Sequence, residues 1–110
     1  MDQQLKIGES QIFKEIQQLK REILPNDKVI LFGSQARGDA REGSDWDLLV
    51  LVDKPNQTFE DYDDYGYPFA EIGWKYGTYI SAKVYTVAEW EKRKPSPFYK
   101  NVEQDGIEIV

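Results

Sequence analysis

Cysteine and histidine are both missing from this 110-residue sequence, and methionine occurs once. Without cysteine there is no disulfide framework and no thiolate metal site; without histidine the usual imidazole base and imidazole ligand are gone as well. Metal chemistry is thereby confined to carboxylates and hard cations. Positive charge is scarce too: 14 Lys and Arg stand against 20 Asp and Glu, a formal net charge of −6. That balance argues against broad binding to nucleic acid or an anionic membrane surface, so any nucleotide must be held locally. No apolar run approaches the ~20 residues of a membrane span, and Met1-Asp2-Gln3-Gln4 lacks the basic region and apolar stretch of a signal peptide. The expectation is a soluble, cytoplasmic protein with no membrane partner.

What is present suffices for one core. The chain is 40% hydrophobic and 14% aromatic, and a chain of this size buries roughly two thirds of its unfolded surface. One domain spanning 1–110 is expected. A site in so small a domain has to be an open cleft shared with a substrate or partner, which leaves room for an oligomer.

Ile12, Ile16, Leu19 and Ile23 recur at helical spacing, so about Ser10 to Leu24 reads as an amphipathic helix stopped by Pro25-Asn26-Asp27. Lys28 to Phe32 and Asp45 to Val52 are short apolar runs that read as central strands. Thr58, Glu60 and Asp61 look like a helix start, and Tyr62, Tyr65, Phe69, Ile72 and Tyr76 continue at three-four spacing. The pattern predicts two short helices broken at Tyr67-Pro68. In Thr78 to Thr86 the residues Ile80, Ala82 and Val84 share one face, with Tyr79, Ser81, Lys83 and Tyr85 on the other, which predicts a third strand. Thr86-Val87-Ala88-Glu89 matches a capping box, Ser96-Pro97 opens another helix, and Gly106 closes it before Ile107-Glu108-Ile109. The predicted order is αβαβαβαα with a short tail strand.

The polar segment Gly33 to Ser44 sits between the first two strands. Gly33-Ser34 follows a buried strand and precedes a helical turn, a setting in which backbone N–H groups and a hydroxyl hold phosphate. Arg37, a turn later, offers a planar fork to the same phosphates or to a carboxylate. Alone, a Gly-Ser turn with a solvated Arg is common in many folds. In Ser44-Asp45-Trp46-Asp47-Leu48 the two carboxylates stand two residues apart, on one face of a strand, at a separation that suits a shared cation. Two like charges there repel unless Mg²⁺, Mn²⁺ or an arginine neutralises them, although a solvated strand entry also accounts for the pair. Trp46 points to the opposite face, into the core.

Taken together, Leu31-Phe32-Gly33-Ser34-Gln35-Ala36-Arg37-Gly38 and Ser44-Asp45-Trp46-Asp47-Leu48 resemble the GSxARG…SDxDL signature of the DNA polymerase β-like nucleotidyltransferase superfamily, in its minimal single-domain form. The resemblance implies an α+β fold, a small mixed sheet of three to four strands with helices packed mainly on one face. It implies that Gly33 and Ser34 hold the triphosphate of an NTP, ATP in the first instance, and Arg37, by its position, is the further nucleotide-binding candidate. It implies catalytic, metal-binding roles for Asp45 and Asp47, which would coordinate Mg²⁺ or Mn²⁺ bridging the phosphates. A nucleoside monophosphate would then pass to a hydroxyl acceptor. Minimal members commonly pair with a small helical protein of the HEPN type, often as toxin and antitoxin, which makes a protein acceptor the leading expectation and nucleic acid an unlikely one.

The sequence also departs from the family. A third carboxylate usually lies on the next strand, and here its polar positions are Ser81 and Lys83. Glu108, Glu71, Asp61, Asp63 and Asp64 are the candidates to replace it, the last four on a helical segment that could fold over the cleft. A second expectation follows, of a binding protein that kept the fold and partner surface and lost turnover, with Lys83 as a built-in counter-ion to Asp45 and Asp47. An accidental motif in a small α+β domain is the third. The aromatic series Tyr62, Tyr65, Tyr67, Phe69, Trp74, Tyr76, Tyr79 and Tyr85 is expected mainly in the core, with one or two tyrosines left for an interface. Lys92-Arg93-Lys94 reads as a solvated helix end.

Overall fold

The computed structural model describes residues 10–41 and 43–110. Helix α1 (Gln11–Ile23) begins where Ser10 caps it, the serine hydroxyl accepting the N–H of Phe13, and it buries Phe13 and Ile16. The chain turns at Pro25 and enters β1 (Lys28–Phe32). A single helical turn, α2 (Ser34–Arg37), and a loop lead to β2 (Trp46–Val52). A π-helical turn over Tyr62–Gly66 runs into α3 (Tyr67–Lys75), followed by β3 (Ile80–Thr86), α4 (Val87–Glu91), α5 (Pro97–Asp105) and β4 (Ile107–Ile109).

The four strands form one mixed sheet in the order β3-β2-β1-β4. β1 runs antiparallel to β2, with Phe32 opposite Asp47, and antiparallel to β4, with Ile30 opposite Glu108. β2 and β3 are parallel, with Asp47 opposite Ser81 and Leu49 opposite Lys83. Such a pair needs a long crossover, which residues 53–79 supply with their π-helical turn and α3.

Alternation along the strands sorts the side chains into two layers. Val29, Leu31, Trp46, Leu48, Val50, Val52, Ile80 and Ile109 share the main core with Phe13 and Ile16 of α1 and Phe69 of α3. On the opposite face a smaller cluster joins Leu49, Leu51, Ile30, Phe32 and Tyr85 to Trp90 of α4 and Phe98, Tyr99 and Val102 of α5. Helices α1 and α3 thus lie together on one face, and Trp46 is in the core as its parity requires. Glu15 of α1 accepts hydrogen bonds from the Lys75 ammonium at 3.1 Å and the Tyr76 hydroxyl, tying α1 to the end of α3.

Two expectations need correction. The helix does not break at Tyr67-Pro68: Pro68 stands in the first turn of α3, where its missing N–H has no partner to lose, and the π-helical turn continues into it. Most of the aromatic series is not core, since Tyr62, Tyr67, Trp74, Tyr76 and Tyr79 are exposed while Phe69 is fully buried. Strand aliphatics fill the interior, and nothing among the described residues covers the outer face of α3, where Tyr67 and Trp74 meet edge to face at 5.4 Å. At the start of the crossover, Asp61 is only 2% exposed. Its carboxylate accepts from the Lys54 ammonium at 2.6 Å and from the Thr58 N–H at 2.8 Å and hydroxyl at 3.0 Å. Burial pushes the Asp61 carboxyl up, yet these bonds outweigh it and hold the group below its ordinary value.

Candidate active site

The site gathers where β1 ends and β2 and β3 begin, on the sheet face of the smaller cluster. β1 delivers Gly33 with φ 77° and ψ −158°, a conformation essentially restricted to glycine. The missing side chain matters as much as the dihedral. A methyl on Gly33 would run into Oδ2 of Asp47 and lie 3.3 Å from its Cγ. The Gly33-Ser34 turn and the Asp47 carboxylate are therefore packed against each other, although fourteen residues separate them in sequence. Ser34, half-buried, opens α2, and the N–H groups of Arg37 and Gly38 close that turn onto the carbonyls of Gly33 and Ser34, both at 3.0 Å.

The loop into β2 is fixed by Ser44. Its hydroxyl accepts the Arg41 N–H at 2.8 Å, and its carbonyl accepts the Gln35 side-chain amide at 3.4 Å, linking α2 to the strand entry. Sequence reasoning quotes this serine within the motif without finding that role, which shows only once the loop is closed. Asp45 is exposed at the mouth, and the Trp46 N–H donates to the Tyr79 carbonyl at 2.9 Å, carrying the β2–β3 pairing to the edge of the site. Asp47 is half-buried. Burial first, and the charge of Asp45 second, hold its carboxyl above the ordinary value, and the opposing influence of Lys83 and Arg37 does not cancel them.

Neither cation neutralises the pair directly. Arg37 is exposed and bonds to Asp39 at 3.3 Å. Lys83 faces the same side as Asp47, one row further along the strands, and joins no ion pair among the described residues. The replacement carboxylates do not arrive either. Asp61, Asp63, Asp64 and Glu71 belong to the crossover, which packs through Tyr65, Phe69 and Ile72 on the main core, the opposite face of the sheet; that segment does not fold over the cleft, and Asp61 is engaged by Lys54. Glu108 lies opposite Ile30 on β4, two strands and about 10 Å from the β2 column. Among the described residues no group of three or more acidic side chains forms a metal cage. Ser81 occupies the row of Asp47 on the neighbouring strand.

This donor set suits a particular kind of cation. Mg²⁺ is usually held by one or two carboxylates together with substrate phosphates and water, not by an all-protein cage. Two neighbouring carboxylates in no ion pair among the described residues, one of which, Asp47, packs against the Gly33 backbone, match that mode.

The Nucleotidyltransferase domain model matches residues 9–107, nearly the whole sequence. The chain belongs to the nucleotidyltransferase domain family. Two proteins of Methanocaldococcus jannaschii, each named "Putative protein adenylyltransferase", are similar to this nucleotidyltransferase. One is 37% identical over 79 residues, covering 72% of this chain and 73% of its own length. The other is 37% identical over 83 residues, covering 76% and 78%. A solved structure described as a toxin-antitoxin with AMP-PNP shares the fold, with a TM-score of 0.60 and 19% identity over 89% of this chain and 72% of its own. The α+β class and the mixed four-stranded sheet are those of the nucleotidyltransferase fold. No helix among the described residues is long and apolar enough to cross a membrane.

Proposed function

We propose that this nucleotidyltransferase moves the adenylyl group of ATP onto a hydroxyl of a partner protein, a small helical protein of the HEPN type. The observation that carries the reading is the seating of Asp47 against Gly33, with Asp45 beside it, which supports a phosphate-holding role for that backbone turn and a metal-holding role for the two carboxylates. The names of the two archaeal relatives support ATP as donor and a protein as acceptor, and the structural neighbour supports a toxin-antitoxin setting.

In this reading Gly33 and Ser34 hold the triphosphate tail, with the Arg37 guanidinium at the rim. Asp45 and Asp47 hold Mg²⁺ or Mn²⁺, which when bound supplies charge neutralisation at the phosphates. The acceptor oxygen bonds to the α-phosphorus as the bond from that phosphorus to the β-bridging oxygen breaks. Pyrophosphate leaves with the electron pair, and the hydroxyl proton passes to water across the open cleft. With Ser81 in the row of Asp47, no third carboxylate among the described residues stands beside the pair to take that proton, so on this reading turnover relies on positioning and charge neutralisation. The same serine favours a second reading, a nucleotidyltransferase-fold antitoxin that binds its partner without turnover.

Calorimetric titration of ATP and GTP, with Mg²⁺ or Mn²⁺ and without, into wild type and an Asp45→Asn, Asp47→Asn double variant tests the nucleotide site. Metal-dependent ATP binding that the double variant loses is expected; no binding by the wild type overturns the reading. Label from α-phosphate-labelled ATP, and not from γ-labelled ATP, should then appear in a protein. Binding without transfer would favour the second reading.

A further inference from the structure

The acceptor itself has a readable place in the fold, on an argument that rests on the adenylyl-transfer reading. Across the cleft the order is the Gly33-Ser34 turn at the end of β1, then Asp47 on β2 with Asp45 just ahead of the strand, then Ser81 and Lys83 on β3 with Tyr79 just ahead of it. Phosphoryl transfer places attacking and leaving oxygens roughly in line. With the leaving pyrophosphate on the β1 side, the hydroxyl must enter from the β3 side.

That side has an unusual charge for this chain. Lys83 is exposed, and Arg93 lies with its guanidinium carbon 4.5 Å from the centre of the Tyr85 ring, on the same sheet face. Neither is in an ion pair among the described residues, whereas the neighbouring Lys92 and Lys94 are paired with Glu89 and Glu91. Arg93 is thus not the solvated helix end expected of it. Lys83, within electrostatic reach of Asp47, and Arg93, over the Tyr85 ring, thus share one sheet face of a protein of net charge −6 without a direct ion-pair partner among the described residues. Tyr79, 55% exposed at the head of the same strand, adds an aromatic surface next to Asp45.

We propose that the acceptor is a hydroxyl residue flanked by acidic residues, laid along the Tyr79–Tyr85 face of β3 with its carboxylates on Lys83 and Arg93. A protein segment fits better than RNA, because binding RNA requires several phosphate contacts and the remaining surface is acidic. The arrangement also gives the lysine a purpose where the family carries acid: it attracts an anionic acceptor to a site whose carboxylates would otherwise repel it.

The test is a backbone amide NMR titration with two short peptides, one carrying a single tyrosine flanked by glutamates and one flanked by lysines, followed in wild type and in Lys83→Gln and Lys83→Glu variants. Lys83 is exposed, so both variants should fold, and their spectra report it. The expected result is that the glutamate peptide shifts the amides of Tyr79 to Tyr85 and Arg93 and the lysine peptide does not. Lys83→Gln should weaken that binding about two- to fivefold, and Lys83→Glu should abolish or invert the preference. Equal binding of the two peptides, no change in the variants, or stronger shifts from a single-stranded RNA oligonucleotide would overturn the proposal. A Lys83→Gln variant that binds Mn²⁺ more tightly with an unchanged peptide preference would make the lysine a counter-ion and also overturn it. ATP titration of the wild type reads out the underlying transferase reading separately: ATP binding without peptide preference sinks only the acceptor assignment.

Discussion

Replacing Gly33 with alanine separates a backbone effect from a site effect. The residue has φ 77° and ψ −158°, a region whose cost for a side-chain-bearing residue is about 1–3 kcal/mol. At about 4 °C per kcal/mol for a domain of this size, that predicts a fall in Tm of about 4–12 °C. The new methyl would also collide with the Asp47 carboxylate. Because the collision displaces a proposed metal ligand, metal-dependent ATP affinity should drop about 10–100-fold, as when the support of a ligand is removed. Gly43 provides the control. It has φ +82° and no atom within 4 Å of an added Cβ, so Gly43→Ala should lower Tm comparably and leave nucleotide binding untouched. Combining Gly33→Ala with Asp47→Ala should cost less stability than the two changes summed, since the second removes the obstacle the first meets. Thermal melts and ATP calorimetry on the four variants decide the matter. A Gly33→Ala protein that binds ATP with Mg²⁺ like the wild type would refute the claimed packing of turn against carboxylate.

Other perturbations have equally definite outcomes. Asp61 is held below its ordinary value by its hydrogen bonds, so its contribution is fully present above the unfolded value of about 3.9 and disappears as pH falls through the folded one. Asp61→Asn should therefore lose less stability than wild type on acidification below about pH 4, measured by urea melts across that range. Asp61→Ala leaves the Thr58 N–H without its acceptor and should cost about 1–3 kcal/mol. Asp47→Asn removes a half-buried charge with no ion-pair partner among the described residues, and should raise Tm in metal-free buffer at neutral pH while abolishing metal-dependent binding. Trp90 stacks on Tyr99 at 4.8 Å and meets Phe98 edge to face at 5.4 Å; Trp90→Ala should cost about 3–5 kcal/mol in urea unfolding, because α4 and α5 are held to the sheet largely through that ring.

Local chemistry was legible from the sequence, and long-range placement only in part. Thr86 and Ser96 cap helices where their patterns indicate, and Ser10 does so as well, each hydroxyl accepting an N–H three residues on; the capping box expected at Thr86 is half formed, since the Thr86 N–H donates to the Gln57 side chain and not to Glu89. The alternation of β3 is also as predicted, Ile80, Ala82 and Val84 facing one core and Tyr85 the other. Such signals depend on neighbours a few residues apart. The layer occupied by the crossover does not: its acidic residues read equally well over the cleft or beneath the sheet, and packing of Phe69 and Ile72 on the main core decides it. Pro68 misled for a related reason, since a π-helical turn ahead of it converts a helix breaker into a first-turn residue. Asp45, Asp47, Gly33 and Ser34 stood out as candidates by spacing and by the family signature, and the structure brings Gly33 and Asp47 into contact. That Gly33 makes room for Asp47, and that Ser81 stands in the row of Asp47, required the strand register.

That register also builds the cleft from one short-range and one long-range chain closure. β1 and β2 are antiparallel neighbours joined by residues 33–45, so the turn and both motif carboxylates are brought together by a short chain closure. The β3 side depends on a parallel pairing across the whole 53–79 crossover, the kind of contact that forms slowly. The wall proposed for the donor and the wall proposed for the acceptor are thus carried by separate segments of the chain. On the proposed reading, substitutions in β3 would alter the acceptor side while leaving untouched the β1–β2 hairpin proposed to hold the donor.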